Sequence, residues 1–335
     1  MMRTFIFGRS TLVSLGLLGF LVSGLGLFAV ADKPADADLM TRDKKNDLWY
    51  YDVQRKPFSG DAATSYPSGE KKFRASYLEG KRIGQLEAWY ENGSYRAKET
   101  YKQGKLDGLA EAWYANEQLK SSAVYKFGAL EGKASEWHEN GKLRIQGTFK
   151  AGKPVHSLKH WHDNGQLSKE VKFGSPGIEN GKALFWYPDG SPMREATYRK
   201  GKVEGLVTEW HSNGNKKAVT PFRGGKQNGK AIEWHANGQK KTEANYRNGE
   251  ANGLQFSWHT NGKKRAEANY LKGKINGIVR EWTDKEALIY EANWKDSKLH
   301  GSFVKWDEQG IVITRKQFIE GKEVEKSTPI EPEGE

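Results

Sequence analysis

Five of the eight histidines stand directly after a tryptophan, at His138, His162, His211, His235 and His259. Imidazoles at such a fixed place could ligate a metal or serve as general bases. Glutamates recur in the same way at Glu136, Glu209, Glu233 and Glu281, the residue type needed for paired-carboxylate chemistry. Two stretches, GALEGKAS at 128–135 and GIENGKA at 177–183, carry the glycines and lysine of a phosphate loop. Their spacing is wrong for one: three residues rather than four precede Gly-Lys, and no Ser or Thr follows the lysine. The chain has no cysteine, which excludes disulfides, thiolate metal sites and a Cys nucleophile. No serine lies in a G-x-S-x-G context. Each remaining candidate is copied many times, whereas catalysis needs one convergent site.

The copies follow a repeat. Tryptophans stand at Trp89, Trp113, Trp137, Trp161, Trp186, Trp210, Trp234, Trp258, Trp282 and Trp306, evenly spaced except for one step that is longer by a single position. Such a fixed period marks an array of small structural units. Twelve positions after each Trp comes an aromatic: Tyr101, Tyr125, Phe149, Phe173, Tyr198, Phe222, Tyr246, Tyr270, Trp294 and Phe318. Seven further on a glycine usually closes the unit, as at Gly108, Gly132, Gly205, Gly229, Gly253, Gly277 and Gly301. The phase continues upstream through Ser65, which stands in the Trp place, with Tyr66, Tyr77 and Gly84 behind it. About eleven units fill residues 60–322. The extra position falls in FGSPGIENGK, 173–182, whose glycines and proline read as a loop.

Each unit holds two runs of about eight residues, rich in Val, Tyr, Trp, Phe and Thr and bounded by turn residues, so each reads as a β-hairpin. A two-residue Asn-Gly loop would set Trp against a basic residue seven positions on. A three-residue loop, a type I turn closed by a left-handed glycine, sets it against the sixth. On that reading Trp shares its face with positions eight, ten and twelve, a mostly apolar set. Pro67 and Pro188 favour the second choice, because they then occupy the turn position that proline's ring-locked φ suits. The turn glycines are Gly93, Gly141, Gly165, Gly190, Gly214, Gly238 and Gly262. Successive histidines would lie about 9.6 Å apart, too far to share a zinc ion. Neither a catalytic residue, a metal site nor a cofactor is expected.

The unit W-[YH]-x-N-G-[KQ]-[LK]-K…Y-K-x-G-K-x-x-G resembles the MORN repeat variant, a bacterial relative of the membrane occupation and recognition nexus repeat. The resemblance covers nearly all of the chain after its leader. It implies an all-β, elongated array of about eleven antiparallel hairpins in a single twisted sheet. For eukaryotic relatives it implies membrane-associated scaffolding, lipid contact or self-association. Chains of such units often carry the label YwqK-type antitoxin, which implies a remote antitoxin-like alternative. The resemblance brings no active site. Three units depart from the pattern: Glu117 replaces the turn glycine, His156 the closing glycine, and WTDKEA at 282–287 lacks Asn-Gly, so these are expected to bend or cap the array.

Residues 1–31 combine Arg3 and Arg9, an uncharged stretch from Ser10 and the small residues Ala29-Val30-Ala31, the layout of a secretory signal. An uncleaved anchor facing the periplasm is the alternative, since the apolar run is nearly long enough to span a bilayer. The expected location is therefore the periplasm or beyond. Residues 32–46 read as a charged linker, 47–60 as an N-terminal cap, 61–325 as the array and 326–335 as a polar, proline-containing disordered tail. The net charge of +12 favours acidic partners. Two functions remain open: a scaffold for an unidentified protein partner or self-association, and binding of an anionic envelope polymer, glycan or lipid through the repeated Trp and Lys/Arg. Nucleic acid is not expected.

Overall fold

The computed structural model describes residues 34–51 and 56–324. The expected leader, the expected tail and Val53 of the cap lie outside them. The described residues are almost entirely strand and turn, and their one helical element is a 3-10 turn, Ala37–Leu39. The chain divides into two compact units, Met1–Leu130 and Glu131–Glu335.

In the first unit, residues 32–46 depart from the linker reading, because the fold begins at Ala35. Ala35–Asp36 pairs in parallel with Gly60–Ser65, and Met40–Asp43 forms a hairpin with Leu48–Tyr51. The segment is charged on average, but Met40 is an apolar anchor, 4% exposed among Ala62, Ala75, Tyr77, Leu86 and Ala88. Its charges stay at the surface, where Asp38 accepts from Thr64 Oγ1 at 2.7 Å. Trp49 and Phe58 pack on Tyr77, and Trp49 N–H donates to the Gly80 carbonyl at 2.8 Å. These residues pack against the strands that begin the sheet. Three hairpins follow: Gly60–Ser65 with Lys71–Leu78, Lys81–Trp89 with Tyr95–Lys102, and Lys105–Trp113 with Leu119–Lys126.

The second unit repeats the same hairpin. Trp pairs with the sixth residue after it throughout, as in Trp137↔Leu143, Trp210↔Lys216 and Trp234↔Lys240. The loop is the three-residue form. His138 N–H donates to the Lys142 carbonyl at 2.8 Å, Gly141 N–H to the His138 carbonyl at 2.9 Å, and Gly141 has φ 79°. Glu117 and Glu286 adopt the same conformation, at φ 68° and 71°, with equivalent turn hydrogen bonds. The departing units are therefore regular hairpins rather than bends or caps. His156, at φ 61°, likewise takes the conformation of the glycine it replaces. The extra residue near 174 lies within the strand Leu167–Ser175, whose pairing to Ile178–Trp186 shifts twice.

The sharing of faces needs correction. The residue before Trp pairs with position eight, as Glu136↔Ile145, whereas Trp137 pairs with position six, because position seven is an extra residue in the returning strand. Side chains alternate along a strand. Positions eight, ten and twelve therefore lie on the face opposite Trp. That opposite face holds the core. In the second unit, Ala183 and Ala196 pair across strands amid Val171, Tyr198 and Val207, and Ala196 is 0% exposed. The aromatic at position twelve lies across from the closing glycine that precedes Trp, as in Gly181↔Tyr198 and Gly229↔Tyr246. Small residues beneath large rings let the sheet bury its apolar area with few aliphatics.

Apart from Pro176-Gly177, where only Gly177 is left-handed, successive hairpins are joined by two-residue turns with both φ values positive, for example Ala151-Gly152 at 47° and 75°. This is the type I′ geometry matched to strand twist. Three-residue turns and type I′ turns thus occupy opposite edges of each unit's sheet.

Candidate interaction edges

The Trp-bearing edge is held together by the side chains that follow each Trp. His211 Nε2 lies 3.0 Å from the Trp234 carbonyl oxygen, and His235 Nε2 lies 3.1 Å from that of Trp258. His138, His162 and His259 make the same contact to Trp161, Trp186 and Trp282. A carbonyl only accepts, so Nε2 carries the proton. Where Tyr replaces His, the hydroxyl does the same: Tyr90 reaches Trp113 and Tyr187 reaches Trp210, at 2.9 and 2.8 Å. Asn at the third position works in two directions. Asn237 Oδ1 accepts from Gln239 N–H at 3.1 Å, closing its own turn, and Nδ2 donates to the Thr260 carbonyl of the next turn at 2.7 Å. Asn140, Asn213 and Asn261 repeat this bond to Asp163, Ala236 and Asp284.

The indoles are half-buried, with Trp89 the most enclosed at 8% exposed. Beside each lies position six of the preceding hairpin. The Tyr95 ring is 5.9 Å from Trp113, and the ammonium groups of Lys240 and Lys264 lie 5.4 and 5.2 Å from the rings of Trp258 and Trp282. The tryptophans thus form neither a sealed core nor a free stacking platform. Their carbonyls and one ring flank join repeat to repeat, while part of each indole meets solvent.

The catalytic candidates disperse. Glu136 pairs with Arg144, Glu209 with Arg194 and Lys217, and Glu233 with Lys241, all at partly solvated sites. The two glycine-lysine stretches run from two-residue turns, Phe127-Gly128 and Pro176-Gly177, into strands, Ala129–Trp137 and Ile178–Trp186, rather than into a helix. An open groove of about 770 Å³ brings Glu281, Tyr290 and Lys305 together in one cross-strand row. Burial, reinforced by Glu281, raises the Tyr290 pKa and keeps its phenol protonated. That is the reverse of an activated nucleophile. Among the described residues, no group of three His, Asp or Glu is placed to hold a metal ion.

Two features were not read from the sequence. One is the donor ladder, whose signal is that His and Tyr alternate at one position, sharing a similar reach and a terminal donor. The other is the basic character of the type I′ edge. In the second unit Lys150, Lys153, Arg199, Lys202, Arg223, Lys226, Arg247, Lys295 and Lys298 are all exposed there. The Cβ atoms of Lys202 and Lys226 lie 3.7 and 3.8 Å from where a Cβ on Gly225 and Gly249 would stand, so each stem rests on the next turn's glycine. Inside the same unit burial, then Lys169 and Arg144, lower the His160 pKa to about 4.

No curated protein matches the chain. Among solved structures it is similar to the crystal structures of TcdB2-TccC3-Cdc42 and TcdB2-TccC3, at 8% and 10% identity and TM-scores of 0.17 and 0.15. These cover 78% and 77% of this chain, which spans 17% of the length of each. The MORN repeat variant model matches residues 82–103, 130–151, 179–200, 227–248 and 251–272. MORN repeats are a non-enzymatic repeat type that scaffolds protein or membrane interactions, and five hairpins of this chain are MORN repeat variants.

Proposed function

We propose that the protein is an exported scaffold, without enzymatic activity, whose Trp-bearing edge takes a protein partner at the bacterial cell envelope. The donor ladder carries this reading: His, Tyr and Asn are spent on neighbouring backbone carbonyls, which rigidifies the edge and leaves a regular row of partly exposed indoles. Partly exposed aromatics on a rigid support suit protein recognition. The test is capture from envelope fractions by the protein lacking residues 1–31. A partner retained by the unmodified edge and lost with Trp210→Ala and Trp234→Ala supports the reading, and equal retention contradicts it. Export is tested by mass spectrometry of the protein from its native envelope fraction, where a mature N-terminus at Asp32 is expected.

A second reading, binding of an anionic envelope polymer or lipid, is favoured by the exposed basic type I′ edge. Co-sedimentation with cell wall or anionic vesicles that falls steeply with salt and is lost with Lys202→Glu and Lys226→Glu would select it.

A further inference from the structure

On the faces of the second unit's sheet, cations meet carboxylates. Lys182 pairs with Glu195 at 2.8 Å, and Arg280 reaches Glu267 and Glu291 at 3.0 and 2.6 Å. The type I′ edge departs from this. Lys150↔Lys153, Arg199↔Lys202, Arg223↔Lys226 and Lys295↔Lys298 are directly opposed cross-strand pairs of like charge. Among the described residues, no carboxylate forms an ion pair with any of them. Like charges directly opposite one another destabilise a sheet, yet the arrangement recurs. Arg247↔Glu250 shows that the same place in the hairpin accepts an opposite pair.

Arg199, Lys202, Arg223 and Lys226 belong to two successive turns, about 9.6 Å apart. Tyr198 and Phe222 pack on the core face, so Arg199 and Arg223, the next residues, point to the other face with their partners. Pro221 shares that face with Arg223, and Leu206, which opposes Pro221, is 60% exposed. The turns are fixed from within. Lys200 N–H donates to Asn180 Oδ1 at 3.2 Å and Gly224 N–H to Glu204 Oε2 at 2.7 Å, while Gly201 and Gly225 donate to the Glu179 and Val203 carbonyls. The Glu204 carboxylate is therefore engaged with backbone, and exposed side chains rather than turn N–H groups are left to meet a ligand.

Resting on the anionic-polymer reading above, we propose that this face binds an acidic polysaccharide. Each like-charge pair receives an anionic group of the chain, and the sugar rings lie with their C–H faces against Leu206 and Pro221. The pairs stand in a line, one to a hairpin, which complements a linear array of anions. A membrane surface fits less well, because insertion needs continuous apolar area and Lys230 separates Leu206 from Leu254 in the same row. Single-stranded nucleic acid needs rings beside the cations for stacking, and Tyr198 and Phe222 point away. An anion held between two cations also relieves their repulsion, so the bound chain stabilises the fold.

Binding of the full-length protein to polygalacturonate tests the proposal, with polyglutamate, phosphatidylglycerol vesicles and neutral dextran for comparison and denaturant midpoints measured alongside. Polygalacturonate should bind more tightly than the other three and raise the midpoint. Lys202→Gln with Lys226→Gln should weaken that binding at least about tenfold. Lys202→Glu with Lys226→Glu should abolish it yet raise the midpoint of the free protein, because each new carboxylate faces an arginine. Unchanged binding in the Gln variant, or polyglutamate bound as tightly as polygalacturonate, overturns the proposal. A midpoint lowered by the Glu variant contradicts the cost of the like-charge pairs and overturns it as well. Binding to vesicles alone overturns it while the anionic reading survives with a lipid ligand, and binding to none of the anionic probes removes both.

Discussion

The imidazole Nε2 of His211 and the carbonyl oxygen of Trp234 are 3.0 Å apart, joining residues of successive hairpins. This contact gives the repeated histidine a structural use, and Tyr187 makes the same contact to Trp210 through its hydroxyl at 2.8 Å. A net contribution of about 1 kcal/mol is expected for such a bond. His211→Phe should therefore lower stability by about 1 kcal/mol, and His211→Tyr should be close to neutral, both read from chemical denaturation. Equal losses in the two variants would show that the ring, rather than its donor, matters.

Gly238 holds φ 85° at the close of its turn, where its N–H donates to the His235 carbonyl at 2.9 Å. Gly238→Ala should cost about 1 kcal/mol or more, because Cβ disfavours this conformation. Gly238→Asn should cost less, since Asn tolerates the left-handed region. Thermal melting of the two variants checks the order.

His160 has its pKa lowered to about 4 by burial and by the nearby Lys169 and Arg144. Its folded pKa lies below the unfolded value of about 6.5, so the unfolded chain binds the proton first as pH falls. The stability associated with its neutral form is fully present above about pH 6.5 and is lost progressively toward pH 4. The facing residues share this environment: Ile145 and Lys169 are its cross-strand partners. His160→Gln should flatten the decline over that window, as followed by denaturant midpoints at each pH.

Trp210 and Trp234 are half-buried, each supplying a carbonyl to the preceding repeat. The backbone bond survives truncation, but the packing of the indole does not. Complete burial of such a ring would make truncation cost about 3–5 kcal/mol, so about half of that is expected for Trp210→Ala or Trp234→Ala. Soluble quencher should reach the native tryptophans partially. A negligible stability loss with full quenching would place the indoles entirely in solvent.

The hairpin and its loop were legible in the sequence because turn chemistry is local. Pro188, Asn140 and Gly141 each demand a backbone conformation that only one loop type supplies. The facing of Trp was misread because one extra residue at position seven inverts the alternation, and periodicity alone carries no mark of a bulge. The involvement of residues from Ala35 onward was hidden for another reason: Met40 is one apolar anchor in a charged segment, and segment composition averages it away. The donor ladder joins residues 23 or 24 positions apart, a separation that becomes contact only once the strands are laid side by side.

The most direct measurement is nitrogen-15 NMR of the imidazoles of His138, His162, His211, His235 and His259 in the intact protein, before and after zinc is added. The expected result is the Nε2–H tautomer at all five near neutral pH, hydrogen-bonded to backbone carbonyls and unmoved by stoichiometric zinc. Mixed tautomers with solvent-like shifts, or zinc-dependent shifts at two or more of these rings, would contradict a structural role for the repeated histidines.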